Sequence, residues 1–370
     1  MVRPVSWREC QSNRRCRRNV VRLLASTPIY FAAILCAGFN LHSVSATNTV
    51  SEEAVPSIEA PEWLSLRTGL GWGSQTLGFD ISNAGLSESN LSVSPNTPLH
   101  WVAGVGWRRL GIVGRIKLPS TIGDPKERGT TQYSNLQIQY FGDRIALDIA
   151  LQQHEGMYIS NADSFREELP DPILPDFVLT TVGLTALWAT NESHSLAAAY
   201  KLNALPSRST VSGVLMGSGS FVGIEAPGGP ARNIPAAEGS VWDDNVYIVT
   251  RTISVGGGIA ANLVYRSFFF APLLSIGLGV QHGDFVIGTI EADSDSVAPM
   301  LSVRLSTGYN GPKWFWALVG SFDLRHVQTP YLTATQGSQL IELLIGLRFS
   351  RWWSATRDAR VPGRSSQARD

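Results

Sequence analysis

Charged residues and long apolar runs are both scarce in this chain, and each shortage excludes a class of protein. Of 370 residues, 16% are charged, whereas an average soluble domain has about 25%. The mean hydropathy is nevertheless only +0.02. Beyond residue 46, no segment provides the roughly 18 consecutive apolar residues that a membrane-spanning helix needs. The composition therefore argues against an ordinary soluble domain and against a helical membrane protein.

Cysteine is confined to the first 46 residues, at Cys10, Cys16 and Cys36. This segment resembles a secretory signal, because seven arginines precede the apolar run 23–39 and small residues end it at Val44-Ser45-Ala46. We expect general secretion with cleavage after Ala46, rather than twin-arginine export at Arg14-Arg15 or lipidation at Cys36. A mature chain without cysteine excludes disulfides, thiol catalysis and thiolate metal sites.

Basic residues become a minority once the signal is removed. Residues 1–46 hold seven of the 30 basic and one of the 30 acidic residues, so the mature chain would carry a net charge of about −6. This balance does not predict nucleic-acid binding, and no motif predicts a cofactor or a metal ion. We expect a flexible periplasmic leader over 47–62, a barrel domain over 63–353 and a disordered tail over 354–370.

Alternating strands dominate what remains. In Leu136–Leu151, oily residues alternate with polar or small ones on both sides of Gly142-Asp143, which is the pattern of a β-hairpin with one apolar face. Similar strands are predicted at Trp101–Trp107, Leu196–Leu202, Leu274–Val280 and Ile341–Phe349. Strands of this kind satisfy their backbone hydrogen bonds in lipid only when they close into a barrel.

The predicted connections alternate between short and long, as they do in outer-membrane barrels, where the short turns are periplasmic. Short turns are expected near Arg109 and at Gly142-Asp143, Asn191-Glu192 and Asn310-Gly311-Pro312, and long loops over 119–131, 155–177, 225–245 and 282–297. Aromatic residues near strand ends suit interfacial girdles. The candidates are Trp101, Trp107, Tyr140, Phe141, Trp188, Trp314, Trp316, Phe349 and Trp352.

The fold class that follows is all-β: an antiparallel transmembrane β-barrel behind a cleaved signal peptide. Thirteen candidate strands can be counted, but bacterial single-chain barrels have even numbers. Either 211–224 does not span, or 64–83 contains two strands. We predict about 12 strands, with 10 or 14 as alternatives.

Two segments of the predicted barrel resemble a known family. Segment 97–119 has a Thr97-Pro98 opening and a Lys117-Leu118-Pro119 end, and 133–159 contains Leu136-Gln137, Tyr140, Gly142, Asp148 and Gly156-x-Tyr158. These features, with a similar stretch at 212–225, resemble domain-of-unknown-function family 4421, uncharacterised bacterial outer-membrane proteins best known from Bacteroidetes. The resemblance covers roughly 90–225 and implies a barrel without an assigned activity. The chain departs from the usual barrel pattern in continuing 21 residues beyond Phe349, so either Phe349 or Trp353 would end the last strand.

Charged and amide side chains on the inward faces are the candidate functional residues. They either pair across the lumen and fill it, or line a narrow channel whose five basic and two acidic residues would favour anions. The predicted lumen-lining residues are Arg115, Lys117, Gln137, Gln139, Asp148, Lys201, Arg304, Glu342 and Arg348.

The histidines beyond the signal do not predict a catalytic site. His194-Ser195 and Asp323/His326 would face oppositely on strands, His154-Glu155 would lie at an exterior rim, and Glu291–Asp295 would form a solvated loop with weak divalent-ion binding to lipopolysaccharide.

We therefore expect a monomeric outer-membrane barrel of the bacterial cell that is structural or a passive channel for small solutes. Its partners would be membrane lipid, lipopolysaccharide and the outer-membrane assembly machinery. The alternatives are a lipid-modifying enzyme (lipase or deacylase type) with a rim active site, and a soluble periplasmic β-sandwich.

Overall fold

The computed structural model describes residues 64–80, 90–96, 99–119, 125–142, 144–161, 173–200, 208–230, 244–328 and 333–349. The predicted signal peptide, leader and tail lie outside the described residues. The strands are β1 Leu64–Asp80, β2 Asn90–Ser94, β3 His100–Trp107, β4 Leu110–Lys117, β5 Gln132–Phe141, β6 Ile145–Ile159, β7 Ile173–Ala189, β8 Thr210–Ala226, β9 Val246–Tyr265, β10 Phe268–Ile287, β11 Ile290–Asn310, β12 Trp314–Gln328 and β13 Thr333–Phe349. Two short helices are α1 Pro125–Arg128 and α2 Leu196–Tyr200.

Twelve of these strands form a closed antiparallel β-barrel, which confirms the predicted fold class and strand number. Each strand pairs with its neighbour along the wall, and β13 pairs with β1 from Phe349 opposite Leu64 to Ala334 opposite Phe79. The thirteenth strand, β2, is a short bridge between the far ends of β1 and β6 above the shorter strands β3, β4 and β5. No described helix is long and apolar enough to cross a membrane.

One end of the barrel carries short hairpins at 108–109, 142–144, 266–267 and 311–313, and we call it the turn end. The opposite end, the loop end, carries the connections 81–99, 118–131, 160–172, 227–245 and 329–332, together with the two-residue turn Gly288-Thr289. The exception at the turn end is the β7–β8 connection, 190–209, which contains α2.

The outward face of the wall is an apolar belt. Along β10 it runs from Phe268 to Val280, with Leu274 53%, Ile276 66% and Leu278 62% exposed. At about 3.3 Å per residue and a strand tilt of about 40°, this stretch spans roughly 30 Å, close to the thickness of a bilayer's hydrocarbon core. The belt gives the barrel the outer surface of a transmembrane protein.

Aromatic side chains surround the turn end, and three of them lie beside an arginine. The guanidinium carbons of Arg108 and Arg144 lie 5.1 Å from the Trp107 and Trp188 ring centroids, and that of Arg266 lies 5.5 Å from Tyr265. Aromatic rings with neighbouring cations are typical of a membrane–water interface. One predicted girdle residue is misplaced, since Phe141 is buried inside the barrel at 3% exposure, and Trp352 lies outside the described residues.

The predicted strand Leu196–Leu202 is wrong, and it is the source of the odd strand count. Residues Leu196–Tyr200 are helical, and the Ser195 hydroxyl accepts a hydrogen bond of 3.2 Å from the Ala198 N–H, as an N-cap residue does. The alanine run favours the helix. Segments 211–224 and 64–83 each contribute one strand, so both explanations offered for the count are wrong, and Asn191-Glu192 is not a two-residue turn.

The predicted long loop 282–297 is also wrong. Strands β10 and β11 continue through it as a hairpin that pairs Ile287 with Ile290. The alternation persists there, but with apolar Phe285 and Ile287 inside and polar His282 and Asp284 outside.

Apolar side chains pack inside the barrel at both ends. The loop-end cluster joins β1 and β2 to β6–β10 and consists of Leu77, Phe79, Leu91, Val93, Met157, Ile159, Leu174, Phe177, Leu179, Val222, Ile224, Ala226, Val246, Ile248, Phe285 and Ile287. The turn-end clusters surround α2 and consist of Phe141, Ala146, Leu187, Ala189, Leu196, Ala197, Ala198, Ala199, Val214, Met216, Ala260, Leu273, Met300, Phe269, Ala271, Phe315 and Ala317. A polar layer lies between them.

Candidate functional site

An ion pair between β4 and β13 is the centre of the polar layer. Arg115 donates from Nε to Glu342 Oε1 at 2.5 Å and from Nη2 to Oε2 at 3.0 Å. Its Nη1 donates to Asn135 Oδ1 at 2.9 Å and to Gln137 Oε1 at 2.7 Å. Because inward residues alternate along each strand, Arg115 and Glu342 meet although β4 and β13 are not adjacent, whereas Asn135 and Gln137 lie on the neighbouring strand β5. Four of the five N–H donors of the guanidinium therefore have an acceptor.

Glycine makes room for this pair on the intervening strand β1. His100 Nε2 lies 3.1 Å from Glu342 Oε1. A Cβ on Gly71 would lie 2.3 Å from that His100 nitrogen and 2.9 Å from Glu342 Cγ. The contact between His100 and Glu342 therefore requires a residue without a side chain at position 71.

A second polar chain lies nearer the turn end. Gln139 donates from Nε2 to Asp148 Oδ2 at 2.9 Å and accepts at Oε1 from Arg67 Nη2 at 3.1 Å. One amide therefore links a cation on β1 with an anion on β6. Such a bridge connects the two charged groups by hydrogen bonds without direct contact between them.

A polar cavity of about 150 Å³ lies inside the layer. Its lining includes Arg115, Asp148, Arg304, Asp323 and Arg325, and the remaining residues are mainly amides, hydroxyls and glycines. Arg325 and Gln336 also line a smaller cavity between β8–β11 and β12–β13. The volume suits a few water molecules or one small polar solute.

The structure gathers most of the predicted lumen-lining residues inside the barrel. Arg115, Gln137, Gln139, Asp148 and Glu342 belong to the two hydrogen-bonded groups, and Arg304 lines the cavity. Lys117 lies near the loop end and donates to the Thr131 carbonyl at 2.8 Å, while Arg348 lies at the turn end and donates to the Gly311 carbonyl and the Asn310 side chain. Lys201 lies outside the described residues.

Several residues of the polar layer are absent from the sequence-based set. Arg67, Asp323 and Arg325 point inward. Along β1, Arg67 faces the opposite side from its neighbours Leu66 and Thr68. The signal was present in Phe322-Asp323-Leu324-Arg325, where charged residues alternate with apolar ones. The same parity rule that selected Arg115 would have found all three.

The histidines have partners that the sequence did not reveal. His154 is 2% exposed, so its predicted place at an exterior rim is wrong; its ring stacks on Tyr133 inside the barrel at a centroid distance of 4.9 Å. His194 Nδ1 lies 3.0 Å from the Thr210 hydroxyl. On the outer surface, His282 Nδ1 lies 2.9 Å from Asp295 Oδ1.

The predicted acidic loop Glu291–Asp295 forms part of β11 instead. Its outward carboxylates face a charged row just beyond the belt, where Arg251 Nη1 lies 2.7 Å from Asp284 Oδ2. Val280 and Val297 are the last apolar outward residues before this row, at 68% and 61% exposure. The row marks where the outward face of β9–β11 changes from apolar to charged.

The geometry defines a class of protein: a twelve-stranded transmembrane β-barrel with a polar lumen packed by apolar side chains at both ends. Within that class, the chain belongs to the family described as Domain of unknown function (DUF4421), whose model matches residues 69–349. This confirms the family resemblance and extends it over almost the whole barrel.

Solved structures similar to this chain are bacterial outer-membrane proteins. The outer membrane protease OmpT from Escherichia coli is 8% identical with a TM-score of 0.37, over 78% of this chain and 97% of that chain. The toluene transporter TodX from P. putida is 8% identical with a TM-score of 0.26, over 79% of this chain and 91% of that chain. At these values the likeness carries no information about activity. No curated protein matches the sequence.

Proposed function

We propose that the protein is a monomeric structural β-barrel of the bacterial outer membrane that holds its lumen closed. The observation that carries this proposal is the apolar packing at both ends of a polar layer. Membrane lipid and lipopolysaccharide would contact the belt, and the outer-membrane assembly machinery would insert the chain.

The outer surface supports the location. A belt of roughly 30 Å, an aromatic girdle and a charged row follow one another from the turn end to the loop end of β9–β11. A soluble sandwich would instead bury such aliphatic faces, since large exposed apolar patches are rare on soluble proteins.

The interior supports closure. Leu77, Phe79, Leu179 and Ile248 of the loop-end cluster are each at most 2% exposed, and Leu196 of α2 is 0% exposed. Apolar constrictions resist wetting and so stop ions even where the pore is not completely filled by side chains. An open porin has a polar, water-filled interior throughout, whereas the described strands of this barrel bury apolar side chains at both ends.

Conductance in planar bilayers tests the proposal. The full-length protein is purified from outer membranes, checked for heat-modifiable migration in gels and reconstituted. We expect insertion without steady conductance. A stable open-pore conductance from the wild-type protein would overturn closure, and recovery of the protein in the soluble fraction after osmotic shock would overturn the membrane location.

A second candidate, a narrow passive channel for small solutes, is favoured by the nature of the turn-end seal. This seal does not depend on side chains of the barrel wall alone. It also depends on the five-residue helix Leu196–Tyr200, which lies on the connection between β7 and β8. Tyr200 ties it to β10 by donating to the Pro272 carbonyl at 3.0 Å. Movement of α2 would open the turn end to the polar layer.

The channel candidate is tested with Leu196→Asp, which places a charge in the turn-end cluster. Brief channel openings in this variant, and rare openings in the wild-type protein, would favour a gated channel over a structural barrel. Arg208→Gln is the matched control, because Arg208 lies on the same connection but contacts Ser193 at the exposed surface.

A further inference from the structure

Among the described arginine and carboxylate side chains of the polar layer, positive charges outnumber negative charges by one. Its described cations are Arg67, Arg115, Arg304 and Arg325, and its anions are Asp148, Asp323 and Glu342. Apolar side chains pack at both ends of the layer, so salt screens the excess less than it screens charges on the outer surface.

The excess can be located on β11 and β12. Arg115 is paired with Glu342 at 2.5 Å. Arg67 and Asp148 are linked through Gln139. The charges that remain are two arginines, Arg304 and Arg325, and a single carboxylate, Asp323.

Strand register places that carboxylate between the two arginines. Arg325 lies opposite Met300, Asp323 opposite Ser302, and Arg304 opposite Ser321. Asp323 is therefore the same-face neighbour of Arg325 and the diagonal neighbour of Arg304, where side chains on paired strands come within about 8 Å. All three residues line the central cavity. Within the described ranges, neither guanidinium makes a hydrogen bond or a salt bridge.

An arginine cannot remove this excess by losing its proton, because its guanidinium stays charged in proteins. An uncompensated charge in an enclosed site is strongly destabilising. A counter-ion taken up by the cavity would balance the charge of the described side chains. The cavity has about 150 Å³ of space, and its lining includes the hydroxyl and amide donors of Ser321, Ser338 and Gln336.

We infer that the central cavity binds one small monovalent anion, a halide or nitrate, between Arg304 and Arg325. A monovalent anion balances the excess of one charge among these seven side chains, whereas a divalent anion such as sulfate would reverse it. This inference goes beyond the proposed function and does not depend on whether the barrel conducts.

Bromide is the probe for the site, because its anomalous scattering locates it directly. The full-length protein is refolded and crystallised from sodium bromide. We expect an anomalous peak in the cavity within hydrogen-bond distance of both guanidinium groups. Bromide peaks on the protein surface with none in the cavity would overturn the inference.

Variants give a second readout in solution, namely the unfolding midpoint of the refolded barrel with and without bromide. Arg325→Gln makes the layer neutral, so its midpoint should no longer respond to bromide, whereas Arg325→Lys should keep the response. Asp323→Asn adds a positive excess, so its response should exceed that of the wild-type protein.

The loss of the bromide response in Arg325→Gln and its increase in Asp323→Asn separate binding from a structural role. Residues with a structural role alone would lower the midpoint equally with and without bromide. Arg251→Gln is the control for general salt effects, because Arg251 pairs with Asp284 on the outer surface. Equal bromide responses in all the variants would overturn the inference.

Discussion

Arg115 and Glu342 form a buried two-point ion pair across a barrel wall in which β1 and β3 separate their strands. The two contacts are 2.5 and 3.0 Å, and the side chains are 6% and 2% exposed. Removing one partner from such a pair leaves a buried charge without its counter-charge. The pair thus ties the β13–β1 closure of the barrel to β4.

The first prediction concerns this pair. Glu342→Gln should lower the free energy of unfolding by about 3–5 kcal/mol, because Arg115 loses its counter-charge. The double variant Arg115→Met/Glu342→Leu should lose less than the single one, since it leaves no charge behind. Urea unfolding of the refolded barrel in detergent, followed by tryptophan fluorescence, measures both.

Asp284→Asn is the control for the ion-pair prediction. It breaks the pair with Arg251 on the outer surface, where both side chains are 47% exposed, and exposed pairs contribute at most about 1 kcal/mol. Equal losses in Glu342→Gln and Asp284→Asn would contradict the role assigned to the buried pair.

The second prediction compares two inward-facing glycines, one in a tightly packed position and one next to open space. Gly71→Ala should destabilise the barrel by about 1–3 kcal/mol through overpacking, since its Cβ would lie 2.3 Å from His100 Nε2. Gly183 on β7 has no atom within 4 Å of the same position, so Gly183→Ala should be neutral or stabilise by up to about 1 kcal/mol. Thermal midpoints from heat-modifiable gel migration compare the two, and equal shifts would refute the close-packing argument.

Strand periodicity was enough to predict the barrel and most of its inward charges. Side chains alternate along a strand whatever its partners, so Arg115, Asp148 and Glu342 could be placed inside from the sequence. Their partners could not, because the contact between β4 and β13 depends on barrel closure. Gly156, at a φ of 81°, adds a bulge that brings Met157 to the inner face, and no local pattern signals it.

The errors in the sequence-based prediction have two physical causes. Beyond the belt, the outer surface meets water. Residues 282–297 therefore keep the alternation of a strand but place polar residues outside, so searching for an apolar outward face does not identify a strand there. In the segment Leu196–Leu202, the apolar residues alternate by chance, and the Ser195 cap with three alanines favours a helix.

The third prediction concerns pH and the connection that carries α2. Burial lowers the pKa of His194, and its Nε2 has no partner among the described residues. As the pH falls, the unfolded chain therefore takes up a proton first, near its ordinary pKa of about 6.5. The stability contributed by neutral His194 should be complete above that pH and should decline as the pH falls toward the lower folded value.

His194→Gln tests the pH prediction, because glutamine keeps a polar side chain that does not titrate. The unfolding midpoint of the wild-type barrel should fall more than that of the variant when the pH is lowered from 7.5 to 5. Parallel pH profiles for the two proteins would show that His194 makes no contribution.

The fourth prediction tests whether the belt lies in lipid. Ile276 is 66% exposed on the outward face of β10, in the middle of the belt and opposite Leu301 and Gly257. In a lipid-facing position, Ile276→Arg should cost about 2–4 kcal/mol, whereas His282→Arg, in the charged row beyond the belt, should cost at most about 1 kcal/mol. Urea unfolding from phospholipid vesicles gives both values. Ile276→Leu controls for the loss of the isoleucine side chain itself. In a soluble sandwich, neither position would meet lipid. A larger loss of unfolding free energy in vesicles for Ile276→Arg than for His282→Arg would therefore identify the apolar belt as the surface in contact with the membrane.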